Sequence, residues 1–447
     1  MPSLLQFCLP LMALISPFRA WRYNPERVSI QQAVTQPYDK ITPAMQDMYY
    51  HASPFNLVRI ILGKRQDTDG TADNVYTRAA ESFLNWRQTG VLTRDPEPSI
   101  YRYTQTFALG GPTGNSIQGK RCGFIALGKI EDYSAKVVFR HEQTLAKPKA
   151  DRLDLLRATR GHFGQLFMLY NGLGKVDALL DTAKTPDAEV TDEYGVVHTL
   201  WKVSDAAVIA SVRDQMKDRK LIIADGHHRY ETALTYRDER RASAETGSGI
   251  PTPYDSVMMT FVDMDRPGLV VLPTHRLVFG LPSFSAAQFQ TDAQKYFNVE
   301  QVDPGIDAAR ATVILQQAGH AGTALLAVTA GGAFLLHNPK GLGTPLFGKL
   351  SLRQQSLDVV QLHKCVLEGV LKISEEAVRN QQNVSYCREA AEALSQVQTG
   401  KVQAAFLMNP VRIEQVRDIA FGGEVLPQKS SDFYPKLLSG LTIYALD

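Results

Sequence analysis

Residues 221–231 read LIIADGHHRYE. The apolar, β-friendly run ends at Ala224, and Asp225–Gly226 is a turn pair. From about His228 the segment HHRYETALTYRDER sets Tyr230, Ala233, Leu234 and Arg237 at helical spacing. A strand that hands a glycine turn to a helix N-terminus makes an anion seat. The first helical N–H groups lack intrahelical partners, and the helix dipole favours negative charge there. Asp225, Gly226, His227, His228 and Arg229 are therefore candidate binding residues, with Arg229 adding a bidentate donor. In the plainer alternative Asp225 caps the helix and the histidines pack locally. The concentration of Asp, His, His and Arg in five residues tips the reading toward a functional site.

The surrounding chain has 447 residues, 44% of them hydrophobic, enough for two or three domains with real cores. Lys plus Arg number 48 against 46 Asp plus Glu, a balance that argues against a nucleic-acid-binding protein. Cys8, Cys122, Cys365 and Cys387 are scattered without a CxxC pair, which suits a reducing, cytoplasmic setting. The opening MPSLLQFCLPLMALIS is apolar, but it is broken by Pro10 and has no basic residue before Arg19. It reads as an upstream extension or a mis-assigned start, with no membrane span.

Three regions are expected. In the first, 14–130, DNVYTRAAESFLNWRQTGVL spaces Tyr76, Ala79, Ala80, Phe83, Leu84 and Trp86 as a helix with Gly90 as C-cap. SIYRYTQTF and RCGFIALGKI read as antiparallel strands around the loop GPTGNSIQGK. The second, 131–281, holds a helix from about Lys149–Asp151, the buried strand GQLFMLY and the 221–231 unit. SAETGSGIPTP (243–253) reads as a mobile loop, and DSVMMTFVDM is expected to lead into a hairpin, GLVVLPTHRLVFG. The third, 282–447, adds the helix FSAAQFQTDAQKYF, a hairpin around Gly331–Gly332, the helices SLDVVQLHKCVLEGVL and SYCREAAEALSQVQTG, and the strand QAAFLMNP. Mixed strands, helices and antiparallel hairpins give the α+β (mixed α/β) class.

Polar clusters interrupt this apolar patterning at QPYD (36–39), FRHEQT (139–144) with KPKADR (147–152), DGHHR, PTHR (273–276) and LPQKSSDFYPK (426–436). Glu142, beside His141 and after a strand, could accept the proton of a substrate hydroxyl; its alternative is a surface partner of Arg140 or Lys147. Lys429 and Lys436, with Ser430 and Ser431, form either a phosphate-facing loop or a solvated basic turn. His275 is expected to cap a hairpin. His227 and His228 lack a third converging ligand for a transition metal, so hard Mg²⁺ on phosphate oxygens plus Asp225 fits better. No Walker A loop or GxGxxG fingerprint is present.

The order PFRA…QPYD…FNLVRI…RHEQT…DGHHRYETA…LPTHRLV…LPQKSSDFYPKLLSGL resembles a bacterial and archaeal family known as the domain of unknown function numbered one thousand and fifteen. The match runs from about Ser16 to the C-terminus. More distantly, DGHHRYETA after a strand resembles the signature of free serine kinases of the ParB/sulfiredoxin-like fold. That resemblance implies a central mixed sheet of that fold at 131–281, flanked by α+β regions. It also implies Glu142, with His141, as the base for the serine hydroxyl and Asp225 as the metal-binding or catalytic acidic group. Gly226, His227, His228 and Arg229 would seat nucleotide phosphate, with ATP or ADP and Mg²⁺ as cofactors. The span of about 80 residues between Glu142 and Asp225 departs from the compact kinase pattern.

The expected activity is nucleotide-dependent phosphoryl transfer to a small hydroxyl compound, with free serine leading, or the reverse. The alternative is a nucleotide-binding switch of the ParB-like fold without catalysis. That version should bring a helix-turn-helix and a basic surface, and neither stands out. A sulfiredoxin-like reductase would need a cysteine in the phosphate loop, which has none. The expected partners are a nucleotide and a small-molecule substrate, without nucleic acid or membrane.

Overall fold

The computed structural model describes residues 13–110, 116–143, 146–243 and 251–447. The N-terminal apolar run up to residue 12, the tip of the 111–120 loop and most of the 243–253 loop lie outside the described residues. The class is α+β, as the strand and helix patterns indicated.

A nine-stranded mixed sheet runs in the spatial order 138–139, 221–225, 166–170, 256–263, 116–129, 100–110, 197–203, 188–191, with 15–16 added beside 116–129. Leu166–Tyr170 is buried at all five positions because it lies inside the sheet and is covered on both faces. Its side chains alternate between two cores. Phe167 and Leu169 join Ile222 and Ala224 on one face; Leu166, Met168 and Tyr170 join Leu221 and Ile223 on the other. The helix His227–Ser243 packs Tyr230 and Ala233 into the second core. The first core continues into the C-terminal region through Leu426, Phe433, Phe406 and Leu325.

The expected antiparallel pair is present, with 100–110 against 116–129 in register from Tyr101–Ile125 to Gly110–Ser116. Helix Val75–Gln88 buries Val75, Ala79, Phe83 and Trp86 and is capped by Asn74, whose side chain accepts from Tyr76 N and Thr77 N. It stops at Gly90, with φ +74°.

A second, six-stranded sheet is antiparallel throughout, in the order 298–302, 332–337, 324–329, 404–408, 275–278, 384–387. The 324–337 hairpin turns as expected. The segment 269–279 does not form a hairpin. Val270–Leu272 pairs with Asp432–Tyr434, and His275–Val278 enters the six-stranded sheet. His275 is thus no cap; it is buried, and its Nδ1 receives the backbone N–H of Met408 at 3.3 Å. SYCREAAEALSQVQTG divides into the strand Val384–Cys387 and the helix Ala390–Gln398. Asp358–Gln361 is α-helical and continues as π-helix through Leu362–Val370.

Candidate active site

Val138–Phe139 pairs in parallel with Leu221–Ile222. The chain leaving Phe139 and the chain leaving Asp225 therefore emerge at the same, carboxyl end of neighbouring strands, where open sheets of this kind commonly hold ligands. A register shift between Ile223 and Asp225 re-aims the end of the second strand. Gly226 then turns the chain with φ +95°. A Cβ there would lie 2.8 Å from Leu166 Cδ2 and 3.0 Å from an Arg229 nitrogen, so any other residue would strain the backbone and push these side chains aside.

His141 is fully buried. Its Nδ1 lies 2.7 Å from the Ile223 carbonyl, which can only accept, so Nδ1 carries the proton. Burial pushes the His141 pKa down, against the opposing pull of Glu142 and Asp225. The neutral ring leaves Nε2 as an acceptor 2.7 Å from Ser431 Oγ. Glu142 Oε1 is 2.8 Å from the same hydroxyl and 2.8 Å from the Ser431 backbone nitrogen, whose N–H it accepts. Ser431 thus sits between two acceptors, an imidazole and a carboxylate, and its single hydroxyl proton serves one of them at a time. The C-terminal tail reaches this loop because the Leu426 N–H donates to the His141 carbonyl at 2.7 Å.

The rest of the tail supplies charge. Asp432 receives Lys436 at 2.9 Å, Arg388 at 2.6 Å and Lys40 at 3.6 Å. Burial alone would raise its pKa, yet these cations hold the carboxyl far below the ordinary range. Asp225 lies between Arg229 at 3.1 Å and Lys436 at 3.9 Å. Its burial is likewise outweighed, by Lys436, Arg229, Lys40 and His227, and its pKa falls to about 2. Lys40 goes the other way: burial, then repulsion from Lys436, hold its pKa below that of an ordinary lysine despite Asp432. Lys429 makes no ion pair among the described residues.

These groups surround a polar pocket of about 280 Å³. It brings together Glu142, Asp225, His227, Lys429 and Lys436, with His141 directly behind Ser431. Gly226, His228 and Arg229 are not among its walls. Arg229 donates to the Gln165 carbonyl at 2.7 Å and to Asp225, and it faces a separate cleft of about 70 Å³. It steadies Asp225 from behind. His227 is buried, and its pKa is pushed well down by burial and by His141.

The sequence reading missed Lys40, Arg388, Tyr386 and Asp432 as pocket walls. Lys40 follows the QPYD cluster directly, and the Asp432–Lys436 spacing lies inside LPQKSSDFYPK, so both carried a signal. Arg388 and Tyr386 carried none, because their segment patterns as a helix.

Among the described residues no three His, Cys, Asp or Glu side chains converge as a metal site. The oxygens of Asp225 face Arg229 and Lys436, cations that a dication would have to displace. The surroundings of Asp225 therefore do not fit its expected role as a Mg²⁺ ligand.

A family model described as a protein of unknown function (DUF1015) matches residues 15–360, and the chain belongs to that family. No curated protein matches it in a sequence search. Among solved structures it is similar to a free serine kinase in complex with AMP, with 13% identity over 68% of this chain and 89% of that chain and a TM-score of 0.35. A conserved hypothetical protein from Pyrococcus furiosus has 12% identity over 66% and 87%, with a TM-score of 0.33. SbnI from Staphylococcus aureus, truncated at its C-terminus, has 11% identity over 71% and 87%, with a TM-score of 0.33. No helix among the described residues is long and apolar enough to cross a membrane.

Proposed function

We propose that the pocket binds the phosphates of ATP or ADP and transfers a phosphoryl group to a small hydroxyl compound. Free serine is the leading acceptor, by the motif resemblance of DGHHRYETA. The observation that carries the reading is the opposition of a carboxylate already bonded to a hydroxyl, Glu142 on Ser431, to Lys40, Lys429, Lys436 and Arg388 in one pocket. Such transfer requires little covalent chemistry from a protein; it needs positioned cations and a base for the attacking oxygen.

In the forward direction the acceptor hydroxyl displaces the Ser431 hydroxyl from Glu142 and passes its proton to that carboxylate. A P–O bond forms to the acceptor oxygen as the P–O bond to the leaving nucleotide breaks. The lysines stabilise the charge that stays on the leaving oxygen. Lys40 suits this task because an arriving phosphate relieves the repulsion it meets from Lys436. Lys436 is the steadier charge: burial disfavours it, but Asp225 and Asp432 hold its pKa above normal.

The test is a phosphoryl-transfer screen of the purified chain with ATP, ADP and pyrophosphate against a panel of amino and hydroxy acids. Phosphorylated product from a hydroxyl acceptor, serine foremost, is the expected result. Nucleotide binding with no product from any pair would replace the enzyme with a nucleotide-binding switch.

A further inference from the structure

Ser431 is half-buried and lines the polar pocket together with Lys40, Lys429, Lys436 and Arg388. Both neighbours of its hydroxyl are bases. Glu142 Oε1 lies 2.8 Å away and also accepts the Ser431 backbone N–H, which fixes the serine against the carboxylate. His141 Nε2 lies 2.7 Å away, and with the ring proton on Nδ1 that nitrogen can only accept. Among the described residues no group donates a hydrogen bond to Ser431 Oγ, so its lone pairs are not engaged. The adjacent Ser430 is the contrast. It is buried and absent from the pocket walls, and its hydroxyl donates to the Pro427 carbonyl, which takes up no proton.

A serine oxygen becomes a nucleophile when an adjacent base removes its proton. In the proposed reaction the small acceptor has to displace Ser431 from Glu142. Until it does, the hydroxyl nearest the base is the protein's own, and an internal nucleophile needs no encounter in solution. We propose that Ser431 is a self-phosphorylation site, modified by the nucleotide in the pocket when no acceptor occupies Glu142. The inference rests on the proposed nucleotide-dependent reading and goes beyond it, because the product is the protein itself. Glu142 takes the Oγ proton as a P–O bond forms between Oγ and the terminal phosphorus of the nucleotide. The P–O bond to the nucleotide's bridging oxygen breaks, and the shortened nucleotide leaves with the electron pair, its charge facing the lysines.

The test incubates the full chain with ATP or ADP labelled in the terminal phosphate, with and without the panel of hydroxyl acceptors. Peptide mass mapping then locates any label on the protein. Without acceptor, label on Ser431 of the parent chain is the expected result, and Ser431→Ala should carry none. Glu142→Gln, shown to be folded by its melting curve, should be labelled more slowly by roughly 10²-fold or more. Phosphorylated small-molecule product with no label on the protein overturns this inference and leaves the proposed function standing. Label on Ser430 or elsewhere in place of Ser431, or an unchanged labelling rate in Glu142→Gln, also overturns it. Label on Ser431 with no product from any acceptor upholds the inference and overturns the small acceptor alone. Neither product nor label overturns both.

Discussion

At the residue scale, the site is a set of charges that move one another's pKa values away from the ordinary range. Asp225 titrates at about 2, below its ordinary 3.8, so its contribution to stability is fully present above about pH 4 and is lost as pH falls toward 2. Asp225→Asn should therefore flatten the dependence of stability on pH between 4 and 2 in urea melts at stepped pH. An unchanged slope would place the acid sensitivity elsewhere. Lys40 has a lowered pKa and binds anions only when charged. Phosphate affinity should thus weaken as pH rises through that lowered value, below the range where ordinary lysines deprotonate. Lys40→Met should bind more weakly at neutral pH and lose that part of the pH dependence, read by titration with pyrophosphate.

Single elements were legible where one local pattern decided them. The run LIIA, the Asp-Gly turn and the period of HHRYETALTY gave strand, turn and helix, and the strand Leu221–Asp225 and helix His227–Ser243 follow. The 324–337 hairpin was equally local. The segment 269–279 was not, because Val270–Leu272 takes a partner 160 or more residues away in the chain, and no spacing rule reports such a pairing. Arg388 was hidden for a related reason: SYCREAAEAL has helical period, but pairing with His275–Val278 pulls its first residues into a strand and tertiary pairing overrides propensity. The Gly226 turn gives the sharpest test at this scale. Gly226→Ala must adopt φ +95° and push Leu166 or Arg229 aside. It should cost about 1–3 kcal/mol in denaturant melts. A loss below about 0.5 kcal/mol would mean that the turn relaxes freely.

Across the whole molecule, the site exists only because the C-terminal tail is bonded to the loops that follow strands 138–139 and 221–225. Its pocket residues Lys429, Ser431, Asp432 and Lys436 meet Glu142 and Asp225 from a stretch about 200 residues or more away in sequence, which is why the sequence could name both clusters but not their contact. Two buried arginines hold the tail in place. Arg276 donates to the Lys429 carbonyl at 3.1 Å. Arg121 donates to the Tyr434 carbonyl at 3.0 Å and to the Pro435 carbonyl, while also gripping Gln105. Burial pulls the Arg121 pKa down to about 10, still high enough to keep it charged. Arg121→Met should lose about 2–4 kcal/mol of stability through unsatisfied buried carbonyls and should weaken pyrophosphate binding as Lys436 drifts. Stability lost without any change in that binding would mean that the tail is held by its other contacts.

The central claim, that Glu142 is the base of a phosphoryl-transfer site, is tested most directly by steady-state kinetics of Glu142→Gln with nucleotide and serine, alongside nucleotide titration and a melting curve. Glutamine keeps an oxygen to accept from the Ser431 backbone N–H but cannot take a proton. The account predicts turnover lower by roughly 10²–10⁴ with melting temperature and nucleotide affinity nearly unchanged. Full turnover in Glu142→Gln would contradict it.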